Sequence, residues 1–321
     1  MITCKFGGSC TINEDNLKNI KQIIKNKKRK IIVFSAIGKI NNKNKKLTDY
    51  LLDFYEEKSI FNKNIILNKI KEIFIFLKQK TKIKIDINYF IKKIEKSTVK
   101  NYIVSRGEDF TARVMAKFLG LVYVPAEKIL MMRDGLFEEE RTKQKLRKML
   151  FKYKRFCTGG FYGFDLISKK IVLLERGGGD VSGALFAKLS ASKIYENFTD
   201  VDGVKMANPG MVENPKTIKN ISYRDLKIVC MADGKVLHKD VCTLLDQTSV
   251  VTLVKNVSKR NGLSTKIDCK KHTCKFVCCQ TQNDQAQFFV MHKRGKIEKV
   301  VVGVLEVKNT YNHLYNLLEK E

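Results

Sequence analysis

Short apolar runs that stop at a glycine or a polar cluster and then give way to a helix recur along this chain, and that alternation restricts its fold more than any other feature. In the first run, "ITCKFGGSC", Ile2, Cys4 and Phe6 alternate with Thr3 and Lys5, and Gly7, Gly8 and Ser9 follow. Alternation with a period of two predicts a strand, and adjacent glycines predict a sharp turn. Glu14 and Asp15 then open a helix with Leu17, Ile20 and Ile24 on one face, closed by the lysines of "KNKKRK"; acid at the start and base at the end suit the helix dipole. The next run, "KIIVFSAIGK", has the continuous apolar character of a buried parallel strand. Helices are predicted over 47–57 and 60–79, the second through Ile66, Ile70, Ile73 and Leu77 at helical spacing. A helix, loop and helix follow, the last ending at Gly120. "LVYVPA" is a strand, "FYGFD" and "KIVLLERGGGD" lead through a glycine loop into a helix over 181–190, and "KIYENFTDVDGV" is a strand ending in polar residues.

Strands alternating with helices across about 240 residues imply an α/β fold, a largely parallel sheet covered by helices. After Lys266 the texture changes: "CKFVCCQTQ", "AQFFVMH" and "KVVVGVLEV" are strand-like, and a final helix runs through Leu314, Leu317 and Leu318. This segment is a small α+β appendage.

A chain of 321 residues with 44% hydrophobic content can bury a large core. Lys5 and the glycines interrupt the first apolar run before a signal sequence could form, and no run is long enough for a bilayer, so a cytoplasmic protein without membrane association is expected. Nine cysteines at irregular spacing suit reduced thiols better than a disulfide framework. Cys269, His272, Cys274, Cys278 and Cys279 lack the spacing of paired zinc knuckles, and no metal site is assigned to them. The net charge of +29 is spread among Asn and Ile along nearly the whole chain. Spread charge gives non-specific attraction to phosphate, so no specific nucleic-acid partner is assigned.

Four polar clusters lie near strand ends or at the head of a helix: Lys5-Phe6-Gly7-Gly8-Ser9, Ser105-Arg106-Gly107-Glu108, Arg176-Gly177-Gly178-Gly179-Asp180 and Thr199-Asp200-Val201-Asp202-Gly203. The strand ends along one edge of a parallel sheet are where open α/β folds bind ligands. A strand, a glycine turn and a helix N-terminus also direct backbone N–H groups at one point, which suits a phosphate, and Lys5 would face the same point.

The order and wording of these clusters resemble the aspartate kinases of the amino acid kinase family. The family's "KFGG(T/S)S" stands here as "KFGGSC", and its "SA.GK…KLTD" as "SAIGKINNKNKKLTD". Its "S.GE…A" stands as "SRGEDFTARVMA" and its "RGGSD.TGA" as "RGGGDVSGA", followed by "YENFTDVDGV", "ANPGMVENPKTIKNISYRDL" and "GKVLH". The resemblance implies an amino acid kinase-like three-layer fold over 1–267 and a reduced, ACT-like or degenerate regulatory or dimerisation segment over 268–321. It implies ATP-dependent phosphorylation of the side-chain carboxylate of L-aspartate to 4-phospho-L-aspartate, the first step toward lysine, threonine, methionine and diaminopimelate. Mg2+ would enter with ATP, and a homodimer is expected. The alternative is a non-catalytic relative in a regulatory or scaffolding role.

Residue by residue, the resemblance implies Lys5 and Asp180 at the reaction centre. It implies Ser35, Thr48, Glu108, Arg176, Gly177, Gly178 and Gly179 at L-aspartate, with Glu108 meeting the ammonium and Arg176 a carboxylate. Lys5, Gly7, Gly8, Ser9, Thr199, Asp200, Lys205, Gly210 and Lys235 would serve ATP. Four positions depart from the pattern: Gly179 stands for a serine, Asn208 and Gly210 for the ends of an Asp-Pro-Arg tripeptide, and Lys205 for a residue that is commonly aromatic or aliphatic; the lost arginine is one that Lys205 could replace in charge.

Overall fold

The structure, a computed structural model, describes residues 1–321 apart from 42–44, 176, 233–235, 260, 284 and 293–295. The chain divides into two compact units, Met1–Asp200 and Val201–Glu321.

In chain order the first unit contains β1 (Ile2–Phe6), α1 (Glu14–Ile24), β2 (Arg29–Phe34), α2 (Leu47–Glu56), α3 (Ile60–Thr81), α4 (Ile87–Glu95), α5 (Lys100–Leu119) and β3 (Val122–Tyr123). It continues with β4 (Met131–Arg133), β5 (Leu136–Phe137), α6 (Glu139–Tyr153), β6 (Phe156–Gly159), β7 (Tyr162–Asp165), β8 (Ile171–Leu173), α7 (Gly178–Leu189) and β9 (Ile194–Thr199). Strands β9, β1, β2, β6 and β3 lie side by side in that order, every pair parallel. β1 is central and buried along its whole length, with Ile2, Cys4 and Phe6 on one face and Thr3 and Lys5 on the other. Helix α7 packs on β1, β2 and β9, and α5 on β2, β6 and β3. The expected largely parallel, helix-covered sheet is therefore present.

Two local interactions fix the register of the central strands. Phe6 is paired in register with Phe34 and with Phe198, and its ring stacks on both, with centroids 5.2 and 4.7 Å apart. Each such aromatic pair contributes about 0.5–1.5 kcal/mol beyond simple burial. At the other end of the strands Arg29 grips Glu196 with Nε and Nη2 at 2.6 and 2.9 Å, so the buried carboxylate has a bidentate partner. Helices α2, α3, α4 and α5 share a separate apolar core in which Phe74 stacks on Phe110 with centroids 3.8 Å apart. Ile70, Ile73 and Leu77 face this core as their spacing predicts, while α5 ends at Gly120, whose φ of +64° lets its N–H turn back to Ala116.

The region 121–173 differs from expectation. β6, which the sequence reading did not pick out, supplies the strand beside β2. "FYGFD" and "KIVLL" instead form β7 and β8, an antiparallel pair in a separate sheet ordered β5, β4, β7, β8. Short runs of three or four residues carry too little periodicity to distinguish a hairpin from a buried parallel strand.

The second unit contains β10 (Asn220–Ser222), α8 (Tyr223–Ala232), α9 (Lys239–Leu245), β11 (Val251–Asn256), β12 (Ser264–Asp268), β13 (Phe276–Gln282), β14 (Gln285–Met291), β15 (Ile297–Gly303) and α10 (Val307–Lys320). β12 pairs with β10 in parallel and with β11 antiparallel, while β13, β14 and β15 form an antiparallel sheet against which α10 packs. The buried face of α10 is Tyr311, Tyr315 and Leu318; Leu317, expected in that face, is exposed. The two tyrosines supply the apolar body, and Tyr315 Oη accepts the Lys216 N–H at 3.1 Å. Among the described residues no helix is long and apolar enough to cross a membrane.

The turn after β1 depends on close backbone packing. A Cβ at Gly8 would collide with the Ala36 carbonyl and lie 2.9 Å from Gly38 N, whereas at Gly7 the nearest atom would be 3.5 Å away. Gly8→Ala is therefore expected to lower unfolding stability by about 1–3 kcal/mol in urea titration, and Gly7→Ala by clearly less. Equal effects of the two substitutions would contradict this packing.

Candidate functional site

Side chains two apart on a strand share a face, so Lys5 and Gly7 of the β1 segment, Val33 and Ser35 of β2, and Asn197 and Thr199 of β9 all point the same way. Register places Lys5 beside Val33 and Asn197. One residue beyond the phenylalanine row, Gly7 N–H donates to Phe198 O at 3.0 Å, Ser35 N–H to Phe6 O at 3.1 Å and Gly160 N–H to Phe34 O at 3.1 Å. The C-terminal ends of four adjacent strands thus form one continuous floor.

Helix α7 is laid over this face. Gly177 caps it with φ +87°, so the helix begins within the glycine run, at Gly178, and Asp180 sits in its first turn. Asp180 is not the cap. Its Oδ1 accepts from Lys5 Nζ at 2.6 Å and from Asn197 Nδ2 at 2.9 Å, and the Lys5 and Asp180 side chains are only 11% and 13% exposed. Tyr195, on the same face of β9, donates its hydroxyl to the Asp180 carbonyl at 3.1 Å.

The helix can come this close because it meets glycine. A Cβ at Gly160 would lie 2.8 Å from Gly179 Cα, and one at Gly179 would lie 2.8 Å from Ser35 Oγ and 3.7 Å from Lys5 Cε. A serine at 179 would require Ser35 to turn away. One strand further, a Cβ at Gly159 would lie 3.2 Å from Glu108 Cβ. Lys5, Gly179, Ser35, Gly160, Gly159 and Glu108 therefore form a connected surface.

The Ser105-Arg106-Gly107-Glu108 cluster lies inside α5. Gly107 lets the helix approach the loop leaving β2, where a Cβ would be 3.1 Å from that of Ala36. Glu108 Oε1 accepts the Ala36 N–H at 3.3 Å, and Thr111 Oγ1, which the sequence reading missed, accepts the Ile37 N–H at 3.1 Å. Glu108 Oε2 is buried and has no hydrogen-bond partner among the described residues. Burial pushes the Glu108 carboxyl up to about 8, against the opposing pull of the Ala36 N–H and the Arg106 charge. Arg106 turns away from the sheet edge: its guanidinium lies over the Tyr102 ring, 4.3 Å from the centroid, and 3.3 Å from Asp109.

The other expected residues divide as follows. Ser9 lies in the short helical turn Gly8–Thr11. Gly178 packs its backbone against Leu174, 2.5 Å from where a Cβ would stand. Thr199 donates to Asp200 Oδ1 at 3.0 Å at the end of β9. Thr48, in the first turn of α2, is half-buried, and its side chain makes no hydrogen bond among the described residues. In the second unit Lys205 Nζ donates to Thr217 Oγ1 at 2.8 Å, and Gly210 N–H to Asn208 Oδ1 at 2.9 Å. Arg176 and Lys235 lie outside the described residues.

The C-terminal edge of the parallel sheet thus carries a nearly buried lysine–aspartate pair under a glycine-capped helix. The model of the amino acid kinase family matches residues 1–256. The chain belongs to that family. Among relatives, aspartokinase 3 of Bacillus subtilis is 27% identical over 297 residues, covering 84% of this chain and 64% of the relative. An aspartokinase of Rickettsia felis is 25% identical over 283 residues, covering 84% and 61%. The chain thus spans less than two thirds of the length of these relatives. The crystal structure of Clostridium acetobutylicum aspartate kinase superposes with a TM-score of 0.73 at 29% identity, covering 83% of this chain and 62% of that one. Escherichia coli aspartokinase III, solved with aspartate and ADP, has the same fold, with a TM-score of 0.76 at 18% identity, covering 89% and 68%.

For this amino acid kinase fold, the residue missed at the centre of the site is Asn197. The available signal was two adjacent polar residues, Glu196 and Asn197, inside a strand otherwise buried on both faces.

The position of Glu108 has a consequence for stability. A carboxyl raised in the fold from 4.5 to about 8 binds its proton more tightly folded than unfolded. Its contribution to stability is full below the unfolded value, falls as pH rises through the window between the two, and levels above about 8, by at most ~5 kcal/mol. Tm measured against pH should show this decline in the wild type and lose it in Glu108→Gln.

Proposed function

We propose that this chain transfers the terminal phosphoryl group of ATP to the side-chain carboxylate of L-aspartate, giving 4-phospho-L-aspartate. The observation that carries the reading is the buried, unpartnered Oε2 of Glu108, joined through Gly159, Gly160 and Gly179 to the Lys5–Asp180 pair. An acceptor held there suits an ammonium group, and a lysine held across the glycine floor suits a phosphate, so one end of an amino acid and a phosphoryl donor could be held together. The resemblance of the motifs to the aspartate kinases supports L-aspartate as that amino acid.

Phosphoryl transfer depends mainly on positioning and charge neutralisation. In this reading Lys5 and the amides around Gly7, Gly8 and Ser9 bind the transferred group, and Asp180 orients the Lys5 ammonium. Glu108 takes the substrate ammonium. Gly177, Gly178 and Gly179 with Arg176 hold its α-carboxylate, and Ser35 and Thr48 offer hydroxyls. Thr199, Asp200, Lys205, Gly210 and Lys235 are assigned to the nucleotide. Mg2+, carried on the phosphates and water, would offset their negative charge. Residues 1–267 are proposed as the catalytic part and 268–321 as a small regulatory or dimerisation segment of a homodimer.

Incubation with ATP, Mg2+, L-aspartate and hydroxylamine should yield the hydroxamate. Lys5→Ala should lower kcat about 10²–10³-fold, the usual loss for one preorganised electrostatic group, without loss of the folded far-UV spectrum. No hydroxamate from the wild type would overturn the reading.

Free Glu108 is largely protonated below about pH 8, and only its ionised form pairs with an ammonium. The KM for L-aspartate should therefore fall as pH rises toward 8, by up to about tenfold per unit, and then level. In Glu108→Gln the KM should be high and nearly flat over the same range.

A further inference from the structure

Asn197 is 1% exposed, in a strand at the centre of the first unit, directly beside Lys5 in register. Its Nδ2 donates to Asp180 Oδ1 at 2.9 Å, while its own Oδ1 is buried with no partner among the described residues. Turning the amide over would not help, because Oδ1 would then face a carboxylate oxygen and two acceptors would meet. The orphaned acceptor is a direct consequence of binding Asp180. An orphaned buried acceptor destabilises a fold, and a leucine of similar volume would avoid it. The leucine would also strip the nearly buried Asp180 carboxylate of a charge-assisted hydrogen bond, so what the asparagine supplies is that bond.

What the asparagine provides is a second anchor on Asp180. Lys5 Nζ and Asn197 Nδ2 share the same carboxylate oxygen, and Tyr195 holds the Asp180 carbonyl from the same strand. When a phosphate arrives, Lys5 must divide its three N–H bonds between two negative groups that repel each other. Without Asn197 the carboxylate would lose the donor that stays in place while Lys5 turns toward the phosphate. Held by Asn197, it stays in the first turn of α7.

We infer that Asn197 is a positioning residue for phosphoryl transfer, fixing the Asp180 carboxylate while Lys5 engages the transferred phosphate. This rests on the proposed roles of Lys5 and Asp180 but not on the identity of the acceptor acid.

The test uses the full chain with Asn197→Leu and Asn197→Ser, followed by thermal unfolding and by ATP consumption with L-aspartate and with a panel of other amino acid carboxylates. Asn197→Leu should keep a cooperative thermal transition, lose at least about tenfold in kcat, and leave the KM values for ATP and acceptor within about twofold. Asn197→Ser, which retains a hydroxyl donor, should recover part of kcat. Loss of the folded transition in both variants, or an effect confined to KM, would identify Asn197 as an ordinary structural residue and overturn the inference, as would wild-type kcat in Asn197→Leu. Should another acid replace L-aspartate as acceptor, the proposed function falls while the comparison of kcat stands. A wild-type chain that consumes no ATP with any acceptor overturns both.

Discussion

The contact between Lys5 and Asp180 organises the first unit. Two nearly buried charges are tolerable only when each is paired and further hydrogen-bonded, because the desolvation of either alone would outweigh any packing gained around it. Lys5 lies on the central strand and Asp180 in the first turn of the helix that covers it, so the pair forms only when β1 is flanked by its neighbours and α7 is seated. The stacked rings of Phe198, Phe6 and Phe34 set the strand ends level, and the lysine and its partner then meet one residue behind that row.

Around the pair the protein withholds side chains. Gly7, Gly159, Gly160 and Gly179 leave backbone where most folds would place Cβ atoms, and at Gly160 and Gly179 the approach is too close for any other residue without movement. The consequence is a surface of backbone groups flanked by two buried oxygens that have no donor among the described residues, Glu108 Oε2 and Asn197 Oδ1. These are different in kind. The carboxyl of Glu108 can hold its own proton until a cation replaces it, whereas the amide of Asn197 cannot ionise and is committed through its nitrogen to Asp180. One is suited to receive a ligand and the other to hold a neighbour.

Several motifs were legible as chemistry before any geometry was available. Lys5 before two glycines, and Asp180 after three, each mark a strand or loop that turns into a helix, and the structure brings the two together. Arg106 was equally prominent in the sequence, yet it packs on Tyr102 and Asp109 and takes no part in the surface around Lys5. Residues two apart on a helix point about 200° apart, so only one of Arg106 and Glu108 can face the sheet, and the one-letter order "SRGE" could not say which.

The sequence by itself determined the α/β class, the strand at 2–6, the long helices and the glycine turns, because these follow from periodicity and from backbone freedom within a few residues. Only the tertiary structure decided that β6 rather than β7 or β8 lies beside β2, and that Asn197 stands next to Lys5. Those facts depend on pairing between residues far apart in the chain, for which short apolar runs are interchangeable. The orphaned oxygens of Glu108 and Asn197 belong to the same class: a polar atom is without a partner only by virtue of everything packed around it.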